Sequence, residues 1–309
     1  MTDAARYAGF LPENYRSTHR EPESTWWQWR GRRVHIARAS RPDAPIRVMG
    51  IHGAGGHAMA LWPFASLAAD EGVDILFPDM PIYGFTAEPR PGQVRYRDWI
   101  DLLCDLVDTE RARDPRPLIL FGASMGGMMA YEVAARTGQI AAVLATCLLD
   151  PADPEARAAT ARWGVAGKAA PTLLPPMARV AGGLRLPIKW LVGMDRMSNN
   201  PDLSRMCGSD PRGGGVRVPL GFLADWFTYP HAAPEQFTAA PVTLLHPAAD
   251  RWTPPQPSLR FLDRIAAPTQ SVLLENCGHF PIEEPGLTQL ITAARCVIAE
   301  VQSRANRGA

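Results

Sequence analysis

The residues best suited to chemistry lie in a Gly-x-Ser-x-Gly sequence with Ser124 at its centre. An apolar, strand-like run precedes it, and residues 128–134, which follow it, have helical character. A serine in this context is typical of a nucleophile on a sharp strand-to-helix turn, where a strained backbone requires small neighbours. Its hydroxyl then projects beside the amides of a helix N-terminus. A plain glycine-rich turn is the alternative, but the flanking strand and helix favour the nucleophile.

A nucleophilic serine needs a base, and the base needs an acid that orients it. With this serine motif the chain order is Ser, then Asp or Glu, then His. His279 follows the last predicted strand and is the one histidine after Ser124 with that placement. Asp250 follows the strand before and is the predicted acid. Asp150, after an earlier strand, is the second candidate, although it also fits a helix N-cap before Pro151.

Attack on a carbonyl creates an oxyanion that backbone amides must stabilise. The strand that ends at Ile51 is followed by His-Gly-Ala-Gly-Gly-His at residues 52–57, where the glycines allow the main chain to approach a ligand closely. The amides of Ala54 and Met125 are the predicted pair of donors. His52 is expected to shape the loop through local hydrogen bonds. A phosphate site is disfavoured, because the chain has neither Gly-x-Gly-x-x-Gly nor a P-loop lysine here.

These residues must be positioned by the ends of several strands. A hairpin at residues 26–29 and 34–37 precedes six apolar, strand-like runs, at residues 46–51, 73–77, 117–121, 141–147, 242–246 and 271–274. Nearly continuous apolar runs separated by helix-length segments are typical of a parallel sheet covered on both faces. Residues 287–302 have the spacing of an amphipathic closing helix. The sequence therefore predicts an α/β fold with a mostly parallel, eight-stranded sheet and helices on both faces.

The alternation of strands and helices stops between about residues 151 and 236, a gap far longer than an ordinary connection. This stretch is rich in proline, glycine, methionine and tryptophan, and its large apolar residues argue against a disordered linker. We expect a core of residues 1–150 and 237–309, with residues 151–236 inserted as a cap over the carboxyl edge of the sheet. Its large side chains either line an apolar pocket or form the core of the cap itself.

Composition excludes several functional classes. The 309 residues are 46% hydrophobic with a formal net charge of +1, and scattered basic residues do not suggest nucleic-acid binding. Five widely spaced cysteines without a Cys-x-x-Cys pair suggest neither a disulfide framework nor a zinc site. We expect no metal or organic cofactor. The start of the chain lacks a signal-peptide pattern and no apolar run is long enough to span a bilayer, so we expect a cytoplasmic protein without stable membrane insertion. A homodimer is compatible with the sequence.

Taken together, these motifs resemble the α/β-hydrolase superfamily, and within it the monoacylglycerol lipase, lysophospholipase and serine aminopeptidase-like group. The matching pieces are residues 52–55, residues 122–127, Asp250 with Pro254 downstream, and Gly278-His279. The resemblance covers most of the chain apart from the cap and the first two dozen residues. It implies a triad of Ser124, His279 and Asp250 and says little about the substrate.

Two positions depart from the pattern of that group. Ala123 stands where the group often has histidine before the serine. The group also commonly has Asp-x-x-Gly-x-Gly-x-Ser after the fourth strand, whereas this chain has Ile82 at the position of the first glycine, three residues after Asp79. Because that loop borders the site in such folds, we expect the pocket to differ in shape from that of the lipases.

The expected activity is hydrolysis of carboxylic esters through an acyl-enzyme, with medium-chain or small aromatic acyl groups suited to an apolar pocket. Lactones, thioesters and vinylogous diketones cleaved at a carbon–carbon bond stay open as substrates. A peptidase is disfavoured, because no distinct carboxylate cluster is present to hold a free amino terminus. Two other classes stay open as well. One is a small-molecule receptor that keeps the triad, and the other is a scaffold without serine reactivity.

Overall fold

The computed structural model describes residues 3–16, 21–70 and 72–308. The strands are β1 (Glu23–Trp29), β2 (Arg32–Ala39), β3 (Arg47–Ile51), β4 (Asp74–Pro78), β5 (Leu118–Gly122), β6 (Ala142–Ala145), β7 (Arg185–Pro187), β8 (Arg217–Pro219), β9 (Val242–Pro247) and β10 (Thr269–Leu274). The helices are α1 (Asp3–Ala8), α2 (Glu13–Arg16), α3 (Ala58–Asp70), α4 (Tyr96–Arg113), α5 (Met125–Thr137), α6 (Pro154–Thr160), α7 (Gly164–Ala181), α8 (Ile188–Leu191), α9 (Pro201–Ser209), α10 (Leu220–Thr228), α11 (Pro255–Leu262) and α12 (Gly286–Gly308). No helix in these ranges has both the length and the apolar composition that a membrane crossing requires.

Eight of the strands form one sheet, in the order β1-β2-β4-β3-β5-β6-β9-β10. The pairs β1–β2 and β2–β4 are antiparallel, and every pair from β4 to β10 is parallel. Strands β3, β4, β6 and β9 are buried along their whole length, which explains why their sequences are mainly apolar on both faces. The predicted mostly parallel, eight-stranded sheet is confirmed.

Helices cover both faces of this sheet, as predicted. Helices α3 and α12 pack on one face, where they meet side chains such as Ile75 of β4. Helices α4 and α5 pack on the other face, against the next residue along the same strand, Leu76. Because β3 and β5 pair in parallel, Ile51 and Gly122 lie side by side at their carboxyl ends. The loops after these two strands therefore meet at one edge of the sheet.

Between β6 and β9 the chain leaves the sheet and forms α6 to α10 and the antiparallel pair β7–β8. Residues 154–236 are called the inserted segment below. It contacts the loop after β10 directly, because the Phe280 amide donates a hydrogen bond to the Met197 carbonyl at 2.7 Å. Its large side chains divide into two groups. Trp226 is buried, whereas Trp163 and Trp190 are 65% and 58% exposed.

The loop after β4 is organised by Asp79, which is fully buried. One carboxylate oxygen accepts the amide of Ala58, the first residue of α3, at 2.7 Å. The other accepts the Phe85 amide at 2.9 Å and the Nδ1–H of His35 at 2.7 Å. Burial alone would raise the pKa of Asp79, but the hydrogen bond from His35 and the nearby histidines lower it. The charged carboxylate thus joins β2, α3 and its own loop.

Ile82 in the same loop has a φ of 75°. This is the left-handed region, which costs a residue with a Cβ about 1–2 kcal/mol and suits glycine. The departure of this chain from the family pattern therefore has a structural consequence, since a β-branched residue is held at a strained position. Gly84, two residues on, has a φ of 57°, and a Cβ there would lie 2.0 Å from the Asp79 carboxyl carbon.

Replacing Gly84 by alanine is expected to lower the free energy of unfolding by about 3 kcal/mol, because backbone strain adds to a clash with a buried carboxylate. Gly138 is the matched control. Its φ of 62° is similar, and a Cβ added there would have no atom of the described residues within 4 Å. Gly138→Ala is therefore expected to cost about 1 kcal/mol, the strain alone. Urea unfolding measures both, and equal losses would show that the contact with Asp79 does not matter.

Candidate active site

Ser124 lies on a strained turn between β5 and α5, with φ 55° and ψ −124°. Small neighbours permit this turn. A Cβ on Gly122 would lie 2.2 Å from the Gly126 carbonyl oxygen, so a larger residue would force the two arms of the turn apart. The Ser124 amide donates a hydrogen bond to Thr146 Oγ1 at 2.8 Å, which ties the turn to the end of β6. Positive φ in a non-glycine residue is found mainly where the surrounding structure requires it.

The side chains of the three predicted triad residues lie in one hydrogen-bonded chain. Ser124 Oγ is 2.9 Å from His279 Nε2, and His279 Nδ1 is 2.7 Å from Asp250 Oδ2. Because a carboxylate can only accept, Nδ1 carries the proton and Nε2 is free to accept the serine hydroxyl. His279 and Asp250 are buried, whereas Ser124 is partly exposed to the cavity described below. The arrangement can remove a proton from Ser124 and keep the resulting imidazolium paired.

Asp250 is held by the turn that follows it. Its Oδ1 accepts the amides of Trp252 and Thr253 at 2.8 and 2.9 Å, and its Oδ2 accepts the Thr253 hydroxyl at 2.7 Å. Burial alone would raise the pKa of Asp250, but the charge and hydrogen bond of His279 and the bonds from Thr253 lower it to about 2. The carboxylate stays ionised at neutral pH, as the orienting role requires.

The second candidate acid, Asp150, serves a different part of the structure. Its Oδ1 accepts the Ala152 amide at 2.9 Å and lies 3.9 Å from His231 Nδ1. Burial raises the pKa of Asp150. The N-cap of the following helix is Asp153 rather than Asp150. The structure pairs Asp250, not Asp150, with His279.

The loop after β3 lies against the serine turn. A Cβ on Gly53 would be 2.9 Å from the Ala123 carbonyl oxygen and 3.1 Å from the Met125 amide nitrogen, so glycine permits this contact. Met125 begins α5, and the first amides of a helix have no intrahelical acceptor. Ala54 follows Gly53, and both Ala54 and Met125 are partly exposed. The contact therefore brings the segment that contains Ala54 next to the first residue of α5, beside Ser124.

Both ring nitrogens of His52 form hydrogen bonds that hold this loop in place. Its Nδ1–H donates to the Gly53 carbonyl at 2.9 Å, and its Nε2 accepts the Met80 amide at 3.0 Å. Burial lowers the pKa of His52 to about 4, so the ring is neutral and both of its nitrogens are used. The expectation that His52 shapes the loop locally agrees with these bonds, which also join the loop to the one after β4.

A second buried polar cluster lies at the far end of the same loop. His57 Nε2–H donates to Asp210 Oδ2 at 3.0 Å, and the Tyr7 hydroxyl donates to the same oxygen at 2.7 Å. Burial alone would raise the pKa of Asp210, but the bond and charge of His57 lower it. The cluster joins α1, the loop after β3 and the inserted segment, and no sequence motif indicated it.

Cys147 is a buried thiol close to Asp250 and His279. Its Sγ, with one ligand atom each from Asp250 and His279, forms a group whose atoms lie within 4.8 Å of one another, a spacing that a metal ion could bridge. Burial raises the pKa of the Cys147 thiol well above its ordinary range. His279 Nδ1 and Asp250 Oδ2 are already hydrogen-bonded to each other, and Cys147 Sγ lies 3.6 Å from Thr253 Oγ1, so a metal ion would have to replace these bonds. The donor set fits a metal ion poorly.

A cavity of about 130 Å³ opens at Ser124 and His279. Its wall near the serine contains the loop after β3 and two residues of the inserted segment, Met197 and Cys207. Tyr7 of α1 also lines it. Away from the serine the wall is formed by apolar side chains of the sheet, α3 and α12. The site therefore offers a reactive hydroxyl at the mouth of an apolar space.

Sequence reasoning missed three supporting residues. Thr253 follows Asp250 by three positions in a Pro- and Asp-containing turn, a pattern that favours side-chain bonds to nearby backbone. That signal was readable. Thr146 and Tyr7 act through contacts between distant parts of the chain, and nothing in their local sequence marks them.

The sequence and the fold of this chain are similar to those of known proteins. The sequence profile of the Alpha/beta hydrolase family matches residues 48–288. A soluble variant of monoglyceride lipase from Saccharomyces cerevisiae has a TM-score of 0.74 at 16% identity, over 91% of this chain and 95% of that chain. The monoacylglycerol lipase of Paleococcus ferrophilus has a TM-score of 0.66 at 21% identity, over 87% and 98%. An epoxide hydrolase from Aspergillus niger has a TM-score of 0.63 at 14% identity, over 93% and 81%.

At these identities the solved structures show a shared fold, and proteins with different substrates share it. A search of curated protein sequences finds no match. The family profile covers well over half of the chain, and the matched range includes Ser124, Asp250 and His279. The chain belongs to the alpha/beta hydrolase family.

Proposed function

We propose that the protein is a serine hydrolase that cleaves carboxylic esters through an acyl-enzyme on Ser124. The observation that carries the proposal is the chain of hydrogen bonds from Ser124 through His279 to Asp250, at 2.9 and 2.7 Å. A strained serine turn adds to it, because strain of this kind is common where a nucleophile must be presented.

In the first step His279 Nε2 accepts the Ser124 hydroxyl proton while Oγ bonds to the ester carbonyl carbon. The carbonyl π electrons move onto its oxygen, which becomes an oxyanion. The amides of Ala54 and Met125 donate to that oxygen, and loss of one such donor costs about 2.7–4 kcal/mol of transition-state stabilisation. Asp250 stabilises the imidazolium and keeps the ring oriented.

In the second step the electron pair returns from the oxyanion and the bond from carbon to the alcohol oxygen breaks. His279 gives its proton to that oxygen, so the alcohol leaves neutral and an acyl-Ser124 ester remains. A water then gives a proton to His279 and attacks the acyl carbon. Collapse of the second tetrahedral intermediate returns the proton to Ser124 Oγ and releases the carboxylic acid. Each proton taken by His279 is returned, so the triad ends as it began.

The substrate proposed is an ester with an apolar acyl group of medium length or a small aromatic acyl group. The apolar wall of the cavity supports this choice. We also propose that residues 151–236 act as a cap on a core of residues 1–150 and 237–309. Contacts from this part to the loop that carries His279 support the cap, since they would let its position affect access to Ser124.

Hydrolysis of p-nitrophenyl esters from acetate to palmitate tests this function. The expected result is turnover by the wild-type protein with an optimum at medium chain length, and none by Ser124→Ala purified in the same way. Equal turnover by the two proteins would show that the activity does not come from Ser124. Absence of turnover with every ester, while a fluorophosphonate still labels Ser124, would contradict ester hydrolysis and point to lactones, thioesters, carbon–carbon cleavage or a receptor.

A further inference from the structure

We propose that the acyl chain of the substrate enters the core of the molecule, in a channel between the sheet and helices α3 and α12. The channel is distinct from a pocket beneath the inserted segment. This inference rests on the proposed esterase function, because it names where that substrate's acyl group lies. It follows from the residues that line the cavity at Ser124.

The floor of the channel is the sheet itself. The lining residues from the strands are Val48, Gly50, Ile75, Phe77, Phe121 and Leu144. Phe121 belongs to the central strand β5, three residues before Ser124, and yet it is only partly buried. A central strand residue in a close-packed interior would have no exposure. The space above Phe121 is therefore open.

Gly50 has no side chain to project from the sheet into the channel. A Cβ at Gly50 would lie 2.1 Å from a ring carbon of Phe77 on the neighbouring strand. The aromatic ring thus lies across β3, where a side chain would otherwise stand up from the sheet. Both residues line the cavity. The absent side chain converts what would be a ridge into an apolar surface.

The walls of the channel come from helices α12 and α3. Leu290, Ala294 and Ile298 of α12 line the cavity at successive intervals of four, so they form one stripe along the helix. On the other side α3 contributes Leu61 and Ala65. The small side chains at 65 and 294 leave a gap that larger residues would fill. At a rise of about 1.5 Å per residue the stripe on α12 is about 12 Å long.

An acyl chain is the ligand that fits such a space. Polar lining residues, including Ser124, His279 and Thr146, stand at the carboxyl edge of the sheet, whereas the deeper wall is apolar. Because an extended chain advances about 1.25 Å for each carbon–carbon bond, roughly ten or eleven carbons span about 12 Å. The acyl group stays bonded to Ser124 after the alcohol leaves, so the alcohol needs the open route to solvent and the acyl chain does not.

The first test fills the channel and leaves the triad untouched. Ala294→Phe is expected to lower kcat/KM for p-nitrophenyl decanoate by at least about tenfold and to leave p-nitrophenyl acetate within about twofold. Ala299→Phe is the matched control, because Ala299 is exposed on the same helix and does not line the cavity. The control is expected to match the wild type with both esters. An unchanged decanoate-to-acetate ratio in a folded Ala294→Phe variant would overturn the channel.

The second test uses the wild-type protein, so it does not depend on how a variant folds. A decyl fluorophosphonate with a diazirine at the end of its alkyl chain is bonded to Ser124, irradiated, and its crosslinks are mapped by peptide mass spectrometry. Crosslinks to α3 or α12 are expected. Crosslinks confined to the inserted segment, or insertion into solvent alone, would overturn the channel. If these crosslinks form but the wild type hydrolyses no ester, the channel stands and the proposed reaction fails.

Discussion

Replacement of Ser124 by alanine is expected to lower kcat for ester hydrolysis by about 10⁴-fold or more, because the nucleophile is lost and only binding and oxyanion stabilisation remain. The fold is expected to persist. Alanine keeps the Cβ at the strained turn, and the amide bond from residue 124 to Thr146 is made by the backbone. The lost hydroxyl bond to His279 is worth about 1 kcal/mol. Steady-state kinetics and thermal unfolding of the same preparation measure both quantities.

A surface substitution provides the reference for this comparison. Ser303 is exposed near the end of α12 and does not line the cavity at Ser124, and its hydroxyl accepts only an exposed hydrogen bond from Arg307, so Ser303→Ala is expected to match the wild type in kcat and in unfolding temperature. Activity of Ser124→Ala within about tenfold of the wild type would mean that Ser124 is not the nucleophile. A large fall in unfolding temperature would mean that the variant reports on folding instead of chemistry.

Asp250→Asn is expected to lower kcat by about 10⁴-fold, with little effect on folding, because the amide has nearly the same size but its NH₂ group can donate to His279 Nδ1. The ring would then carry its proton on Nε2 and could not accept one from Ser124. Two backbone amides hold Asp250 Oδ1, and Oδ2 faces the ring of His279. In the asparagine the carbonyl oxygen must therefore take the position of Oδ1, so the NH₂ group takes the position that faces His279. Kinetics with p-nitrophenyl octanoate measure the loss.

Asp150→Asn is the matched control for that variant. Asp150 is also an aspartate after a strand of the same sheet, but its carboxylate bonds the Ala152 amide. Its replacement is expected to change kcat by no more than about threefold. A severe loss in Asp150→Asn together with a mild loss in Asp250→Asn would reverse the assignment of the acid.

Local patterns in the sequence were enough to predict the serine turn. The strand before Ser124, the small residues around it and the helix after it lie within one continuous stretch, and their geometry is set by neighbouring residues. His279 and Asp250 were found differently, from chain order and from their positions after strands. That the two residues meet Ser124 in space depends on the position of β9 between β6 and β10, and the sequence pattern does not predict this strand order.

Contacts between distant segments account for what the sequence did not reveal. Tyr7 and Asp210 are 203 residues apart, and His57 and Asp210 are 153 apart, yet they share one carboxylate oxygen. No periodic pattern connects such positions. Ile82 lies between these two situations, because the sequence revealed part of its role and not the rest. The departure from the family pattern was visible in the sequence, but its positive φ was not.

The channel was hidden for a related reason. In the sequence Ala65 and Ala294 are ordinary helix-forming residues, and nothing marks them as lining residues. Their role depends on how far α3 and α12 stand from each other on the sheet. That distance follows from packing across three elements, which neither helical periodicity nor composition determines.

Mass spectrometry of the protein quenched during turnover tests the role of Ser124 as nucleophile most directly. The protein is mixed with p-nitrophenyl octanoate, quenched in acid within the burst of p-nitrophenol release, and digested. The expected result is one octanoyl group on the peptide that contains Ser124, formed as fast as the burst and absent from Ser124→Ala. Continued hydrolysis with no acyl group on that peptide, or with the acyl group on another residue, would contradict an acyl-enzyme on Ser124.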